Sequence, residues 1–180
     1  LSKQILDELL NEKKPTMHLK EYIHSSKTDI AFSHISDKFI LNPVFELWIN
    51  LNQDLNLIWE NLRGSYRNLI NKNQRFFEIK FPESFNLKKY KDLHFKVSGK
   101  KTRSDITWEY QRDMFKNKEL IVCEAYINNS LIAYSFFNIT DFIAQYSSSV
   151  TIREYFREYS VNHVIMWESI KKLKSLGITK

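Results

Sequence analysis

Apolar residues near the end of the chain recur at steps of three and four, the pattern of one helix face. The residues that follow this spacing are Met166, Ile170, Leu173 and Leu176. Asn162 suits the start of such a helix as an N-cap, and Gly177 suits its left-handed end. The pattern therefore predicts an amphipathic helix over residues 162–177.

The rest of the chain divides into further segments of helical or strand-like pattern. Period-two alternation and runs of β-branched and aromatic residues predict strands. These strands are expected at residues 38–41, 45–51, 76–81, 120–126, 131–139 and 142–150. Helical spacing predicts three more helices, at residues 55–73, 87–97 and 105–115. A polar loop is expected at residues 151–161, between the last strand and the final helix.

This order of elements is typical of an α/β (α+β) protein with a mixed, mostly antiparallel sheet flanked by helices. Pro82 closes one strand-like run and is the most natural boundary within the chain. Strand–helix–strand occurs before it and strands–helix after it, which indicates two related halves, residues 1–81 and 82–180. No strand follows Gly177 within the chain, so the second half is expected to lack its last strands.

The composition narrows the class of protein. Hydrophobic residues make up 43% of the 180 residues and aromatic residues 14%, which excludes a disordered chain. The formal net charge of +6 favours anionic partners such as nucleotides, tRNA or phosphorylated lipids. A solvated, lysine-rich surface explains that charge equally well. No signal peptide and no apolar run of membrane-helix length is recognisable, so a cytoplasmic protein is expected.

Metal and thiol chemistry have little support in the sequence. Cys123 is the one cysteine, so neither an internal disulfide framework nor a cysteine cluster is expected. It lies in an apolar, strand-like run and is a poor candidate for a nucleophile. His18, His24 and His34 show no metal-ligand spacing, and we predict no metal site.

Several segments resemble the Fem-like acyltransferases (the FemAB or peptidoglycan-bridge type) of the GNAT superfamily. Residues 57–72 are similar to the helix that closes the first half of these proteins. Residues 93–99, 102–104 and 107–111 are similar to the entry to their second half. The predicted meander, with His163 and residues 166–171, is similar to their late strand-and-helix unit. The resemblance covers roughly residues 45–180 and implies tandem GNAT-like halves. Residues 1–81 would be the C-terminal part of the first half, and residues 82–180 the second half without its last strands.

The resemblance implies an enzyme that transfers an acyl or aminoacyl group to an amine of a peptidoglycan or surface-polysaccharide precursor. The implied donor is aminoacyl-tRNA or acyl-CoA, used as a co-substrate, with no tightly bound cofactor. GNAT enzymes that use acyl-CoA normally hold its pyrophosphate with a Gly-rich loop. Residues 147–153 occupy the corresponding place and read SSSVTIR, without glycine. A CoA-dependent sugar N-acetyltransferase, a non-catalytic GNAT-like module and a basic tRNA-binding domain stay open as alternatives.

Acyl transfer to an amine needs donors for a tetrahedral oxyanion, a route for the amine proton and cationic groups for phosphates. Tyr146, Tyr159 and His163 flank the predicted strand–loop–helix junction and are the candidates for proton transfer. A capping or packing role for His163 is the competing interpretation. For Tyr146 and Tyr159 the competing interpretation is a partly buried ring whose hydroxyl is already hydrogen-bonded.

Substrate contacts are predicted in two places. Arg103 follows a turn and precedes a helix, near the acceptor cleft that the resemblance implies, where a guanidinium can take a phosphate or carboxylate. Trp108 and Gln111, one helical turn apart, are expected in the same cleft. The competing interpretations are a surface ion pair for Arg103 and a core position for Trp108.

The second place is the helix before Pro82. Arg63, Arg67 and Lys72, with Tyr66, form a basic stripe with an aromatic residue, as donor or nucleic-acid contacts require. A solvated helix face explains the same residues.

Overall fold

The computed structural model describes residues 47–180, which form one compact unit. Four antiparallel strands make a single sheet whose spatial order follows the chain. The strands are β1 (Glu78–Lys80), β2 (Leu120–Ile127), β3 (Ser130–Thr140) and β4 (Ile143–Thr151). Helices flank this sheet, so the predicted α/β (α+β) class with a mostly antiparallel sheet is confirmed. The strand expected at residues 38–41 lies outside the described residues.

Six α-helices occur in residues 47–180. They are α1 (Leu55–Asn61), α2 (Gly64–Asn73), α3 (Leu87–Ser98), α4 (Asp105–Lys116), α5 (Arg153–Tyr159) and α6 (Val161–Ser175). Among the helices of this part of the chain, none combines the length and apolarity needed to cross a membrane. The helices expected near residues 87–97, 105–115 and 162–177 are confirmed.

The long helix expected over residues 55–73 is wrong in one respect, because it is interrupted. Asp54 caps the first part by accepting from the Asn56 backbone N–H at 2.8 Å. Leu62 then adopts an extended conformation, with ψ of 144°, and ends α1. Gly64, a weak helix former, begins α2 after this break. Because the two helices are separate, the direction in which the basic residues of α2 point does not follow from the helical phase of α1.

The strand expected at residues 45–51 is also wrong within the described residues. Residues 47–50 have no regular secondary structure, and Leu47 is fully exposed. Leu51 alone is buried, and its backbone N–H donates to the Thr179 carbonyl at 2.9 Å. An alternating pattern forms a strand only where a neighbouring strand can pair with it along its length.

The expected loop at residues 151–161 contains the short helix α5. Asn162 is not the N-cap of α6, since its Oδ1 accepts from the Thr151 hydroxyl at 2.7 Å. Ser160 instead precedes α6 in a left-handed conformation, with φ of 49°. Gly177 follows α6 with φ of 79°, as a left-handed end requires.

The hairpin between β2 and β3 forms as expected. Asn128 and Asn129 both have positive φ, 48° and 63°, the backbone that a two-residue turn of type I′ needs. Ile127 pairs with Ser130 across this turn. Asparagine tolerates the left-handed region better than most residues, so the turn forms without glycine.

β1 lies before Pro82, yet it pairs with β2, with Ile79 opposite Ala125. Strands from both sides of the predicted boundary therefore share one sheet. The division into halves at residues 81 and 82 stays a prediction.

Each face of the sheet has its own core. One core lies under α3 and α4 and is made by Tyr90, Leu93, Trp108, Leu120, Val122, Tyr134, Phe136 and Val150. The other lies under α6 and also receives residues from α1 and α2, such as Ile58 and Ile70. The rings of Trp59 and Trp167 meet there, with centroids 4.7 Å apart. The two cores therefore hold α3 and α4 on one face of the sheet and α6 on the other.

Candidate functional site

A β-bulge interrupts β4, the last strand in the order of the described sheet. Phe136 pairs with Ser148 and Phe137 pairs with Tyr146, so no residue of β3 lies opposite Ser147 in the strand register. The Ser147 hydroxyl donates to the Phe136 carbonyl at 3.1 Å. Bulges bend a strand and redirect its side chains, and they occur often beside active sites.

Tyr146 lies directly before this bulge and is 46% exposed. Its hydroxyl donates to the Ser149 Oγ at 2.5 Å, and its ring lies 5.6 Å from that of Phe137. Phe137 belongs to the core under α6. Tyr146 therefore presents a hydroxyl on the α6 face of the sheet, held in place at both ends of its side chain.

His163 is the third residue of α6. Its backbone N–H donates to the Ser160 carbonyl at 3.0 Å, and its ring packs on Tyr66 with centroids 4.8 Å apart. The Nδ1 atom is buried and has no hydrogen-bond partner within residues 47–180. A buried, unpaired polar atom requires an explanation in a native fold. A substrate group that hydrogen-bonds to this nitrogen would supply one.

Tyr159 ends α5 and belongs to an aromatic cluster. Its ring meets Phe76 at 5.2 Å and Phe77 at 6.2 Å, both edge-on. It also packs against the core under α6. Tyr159 and His163 thus both contact the segment that runs from α2 to β1, whereas Tyr146 lies on β4.

The basic stripe of α2 lies beside these residues. The Arg63 guanidinium is 6.0 Å from the Tyr66 ring, and Arg67 donates to the Glu60 carbonyl at 3.2 Å. Lys72 is exposed on the same helix. The stripe therefore reaches His163 through Tyr66.

Arg75 and Phe76 extend this stripe, and sequence reasoning missed both. The Arg75 guanidinium lies 4.9 Å from the Phe76 ring, and Phe76 in turn contacts Tyr159. Residues 61–77 contain four basic residues and no acidic one. This run of basic residues could have indicated Arg75 from the sequence. Its contact with α5, through Phe76 and Tyr159, is visible only in the fold.

Arg103 contacts both Trp108 and Gln111 of α4. Arg103 Nη1 donates to Gln111 Oε1 at 3.4 Å, and the guanidinium lies 5.2 Å from the Trp108 ring. Trp108 is only 3% exposed and belongs to the core under α4. Trp108 and Arg103 also line a cavity of about 360 Å³ between the end of α3 and the start of α4.

His94 lines the same cavity and was not singled out from the sequence as a site residue. Its Nε2 is 3.3 Å from the Thr102 Oγ1, and its ring meets Trp108 edge-on at 5.5 Å. Burial, and then the positive charge of Arg103, lower the pKa of His94 below its ordinary value of 6.5. Nothing in the local sequence distinguishes a histidine that lines a cavity from any other histidine in a helix.

A buried carboxylate, Glu124 on β2, was likewise missed. It accepts from the Tyr90 hydroxyl at 2.5 Å and the Tyr126 hydroxyl at 2.8 Å. Lys89 forms an ion pair with it at 2.5 Å. An acidic residue in the middle of an apolar strand was the signal that could have indicated this network. All the hydrogen-bonding partners are side chains of the protein, which is typical of a structural role.

The predicted site residues therefore form three groups. Tyr146 lies at the bulge, Tyr159 and His163 lie against the basic stripe, and the Arg103 group lies at the cavity on the α3–α4 face. Within residues 47–180 no cluster of three or more His, Cys, Asp or Glu side chains has a metal-binding arrangement. The histidines at positions 18, 24 and 34 lie outside the described residues.

No protein-family model matches the chain, and no curated protein matches it. Among solved structures, the chain is similar to a possible acetyltransferase from Clostridium difficile 630. The two are 16% identical with a TM-score of 0.40, over 54% of this chain and 70% of that one. A likeness of this size does not establish a family.

Proposed function

We propose that the chain is part of a GNAT-like acyltransferase that moves an activated acyl group onto an amine. The observation that carries the proposal is the bulged strand β4 with Tyr146, which leads through α5 with Tyr159 into α6 with His163. The antiparallel meander followed by an amphipathic helix is also the unit on which the resemblance to Fem-like acyltransferases rests. A strand opened by a bulge can offer backbone N–H groups to an oxyanion.

The proposed reaction is direct attack of the amine nitrogen on the acyl carbon. The new C–N bond forms as the carbonyl oxygen takes negative charge, and the C–O or C–S bond to the leaving group then breaks. His163 accepts the proton that the amine loses, and Tyr146 or Tyr159 donates a proton to the leaving oxygen or sulfur. No covalent enzyme intermediate is required.

The two substrates are assigned to the two faces of the sheet. The acceptor enters from the cavity lined by Arg103 and Trp108, with Gln111 hydrogen-bonded to Arg103. The activated donor, an aminoacyl-tRNA or an acyl-CoA, lies along the basic stripe of Arg63, Arg67 and Lys72. A peptidoglycan or surface-polysaccharide precursor as acceptor is the finer part of this proposal and rests on the resemblance. A cytoplasmic location stays an expectation from the sequence.

The test is an acyl-transfer assay on the purified chain with acetyl-CoA and, separately, a charged tRNA as donor. Because positioned acid–base groups contribute about 10²–10⁴-fold, the His163→Ala variant should lose at least about 10²-fold in rate. The Arg103→Ala variant should mainly raise the KM for the acceptor. The matched control is Lys96→Ala, an exposed position on α3.

Unchanged transfer rates in both His163→Ala and Arg103→Ala would remove the site assignment. No transfer by the unaltered chain with either donor would favour a non-catalytic module. Thermal stabilisation by acetyl-CoA without stabilisation by charged tRNA would favour the sugar N-acetyltransferase. The donor assignment to tRNA would then be wrong.

A second candidate function is RNA binding without transfer. The specific observation in its favour is the run of four basic residues without an acidic one in residues 61–77. Its mark would be tRNA affinity that falls steeply with salt, since each phosphate contact releases counterions. Binding of this kind in a chain that transfers no acyl group would select the second candidate.

A further inference from the structure

We propose that the cavity between α3 and α4 is a subsite for an oxyanion, in which Arg103 binds a phosphate or carboxylate of the ligand and His94 with Thr102 hydrogen-bonds beside it. The inference rests on the proposed function and deepens it. It gives the acceptor a chemical class, an amine whose molecule also carries an acidic group.

The first argument is the balance of charge around the cavity. Lys91 and Lys101 both pair with the Asp105 carboxylate, at 2.6 and 2.8 Å. Asp92 pairs with Lys88, at 2.5 Å. The acidic side chains that line the cavity are therefore already compensated by lysines. Their charges do not oppose an anion at the remaining cations.

Two cations of the cavity have no carboxylate partner within residues 47–180, Arg103 and Lys100. Arg103 makes one long hydrogen bond, to the neutral Gln111 at 3.4 Å. A guanidinium has five N–H donors, so most of its donors are available to a ligand. The surface ion pair that the sequence allowed for Arg103 is not formed with any described carboxylate.

The second argument is that Arg103 is held in position before any ligand arrives. Its guanidinium lies 5.2 Å from the ring of Trp108, which is buried and forms the wall of the cavity. This cation–π contact and the hydrogen bond to Gln111 restrict the Arg103 side chain. An oxyanion that binds there needs little reordering of the side chain, which favours affinity.

The third argument concerns the polar groups beside Arg103. His94 Nε2 and Thr102 Oγ1 lie 3.3 Å apart at the cavity. Burial and the positive charge of Arg103 lower the pKa of His94, which favours the uncharged form of its ring. An uncharged imidazole can donate a hydrogen bond to an oxygen of the anion. His94 and Thr102 therefore add hydrogen-bonding groups beside Arg103 for the same oxyanion.

The experiment titrates the chain, without any acyl donor, with 2-aminoethyl phosphate, β-alanine, ethanolamine and inorganic phosphate at low salt. Binding is followed by NMR through the His94 ring and the Arg103 side chain. One of the two amine-containing anions should bind at least about tenfold more tightly than ethanolamine, as a charged hydrogen bond implies. The tighter of 2-aminoethyl phosphate and β-alanine identifies the oxyanion as phosphate or carboxylate.

Three variants test the assignment to Arg103. Arg103→Gln should weaken the tighter ligand by about tenfold or more, and Arg103→Lys should keep part of the affinity. The matched control Arg112→Gln removes an arginine of α4 that pairs with Glu109 and should leave affinity within about twofold. Circular dichroism establishes that each variant is folded.

Ethanolamine that binds as tightly as both anions would overturn the inference, as would full affinity in Arg103→Gln. Because no donor is present, the result does not depend on acyl transfer. Transfer activity with no anion binding would refute this inference alone, and anion binding without transfer would refute the proposed function alone.

Discussion

The hydroxyl group of Tyr90 donates a hydrogen bond of 2.5 Å to the carboxylate of Glu124, between helix α3 and the sheet. Glu124 is 1% exposed, and Lys89 and Tyr126 supply its other partners. Burial of an ionised carboxylate is costly unless it is paired and hydrogen-bonded. These donors therefore allow a charge beneath α3, the helix that ends at the cavity.

Replacing Tyr90 by phenylalanine should lower the free energy of unfolding by about 1.5–3 kcal/mol, the range for a hydrogen bond to a charged group. The ring stays in the core, so the loss reports the hydroxyl. Denaturant unfolding followed by circular dichroism measures it. Tyr110→Phe is the matched control, because Tyr110 is 65% exposed on α4, and it should change stability by less than about 0.5 kcal/mol. Equal stabilities of the two variants would contradict a stabilising Tyr90–Glu124 bond.

The pKa of His94 should lie below 6.5 in the folded chain, because burial and the charge of Arg103 both oppose the imidazolium. An NMR titration of the ring measures it, with His94→Asn to assign the resonance. The Arg103→Gln variant should raise this pKa towards 6.5, since it removes one of the two causes. A folded-state pKa at or above 6.5 in the unaltered chain would be inconsistent with the cavity as described.

The same pKa shift has a consequence for stability. Between the lowered folded-state pKa and the unfolded value of 6.5, the unfolded chain binds more protons at position 94 than the folded chain. The contribution of His94 to stability is therefore present above pH 6.5 and is lost as pH falls through this window. The His94→Asn variant should show a shallower loss of stability in the same pH range.

Cys123 should be inert in the folded chain. Its side chain is fully buried, and burial raises the pKa of its thiol to about 12. The thiolate is the reactive species, so a disulfide reagent at pH 8 should modify the native chain far more slowly than the unfolded one. An aromatic disulfide reagent releases a coloured thiolate for each thiol it modifies. Because Cys123 is the chain's one cysteine, the absorbance of that thiolate measures the modification of Cys123. Rapid modification of one thiol per native chain would show that β2 opens at this point.

Local patterns were sufficient to predict much of the fold. The hairpin at Asn128 and Asn129, the helices near residues 87–97 and 105–115, and the last helix all follow from periodicity and turn chemistry. The break at Leu62 was not predictable in this way, because apolar spacing continues across it. The strand expected at residues 45–51 is wrong for the described residues 47–51, because alternation does not reveal whether a pairing strand exists.

The candidate site divides in a similar way. The resemblance and one helical repeat placed Arg103, Trp108 and Gln111 in one cleft, and Arg103 does contact the other two. The contact between Tyr66 and His163 joins α2 to α6, which are far apart in the chain, and no local pattern encodes it. The Arg75–Phe76–Tyr159 cluster depends on α5, which lacks the clear apolar stripe by which sequence patterns indicate a helix.

Gly177 positions the end of the chain against the sheet. It follows α6 with φ of 79°, and residues beyond it bond to Phe142 and Ala144 at the start of β4. A side chain at Gly177 would meet no atom within 4 Å. The cost of Gly177→Ala is therefore backbone strain alone, about 1–2 kcal/mol in the free energy of unfolding for an L-residue in the left-handed region.

Gly64→Ala is the matched control for this substitution. Gly64 is the first residue of α2 and has no positive φ, and a side chain there would meet only the flexible end of Arg67, at 3.9 Å. Alanine should be neutral or stabilising at Gly64 by up to about 1 kcal/mol, since it favours the helix and restricts the unfolded chain. Denaturant unfolding of the two variants should therefore give shifts of opposite sign or clearly different size. If Gly177→Ala unfolds like Gly64→Ala, the left-handed end of α6 does not form in solution. Residues 178–180 would then lose the turn that directs them to the start of β4.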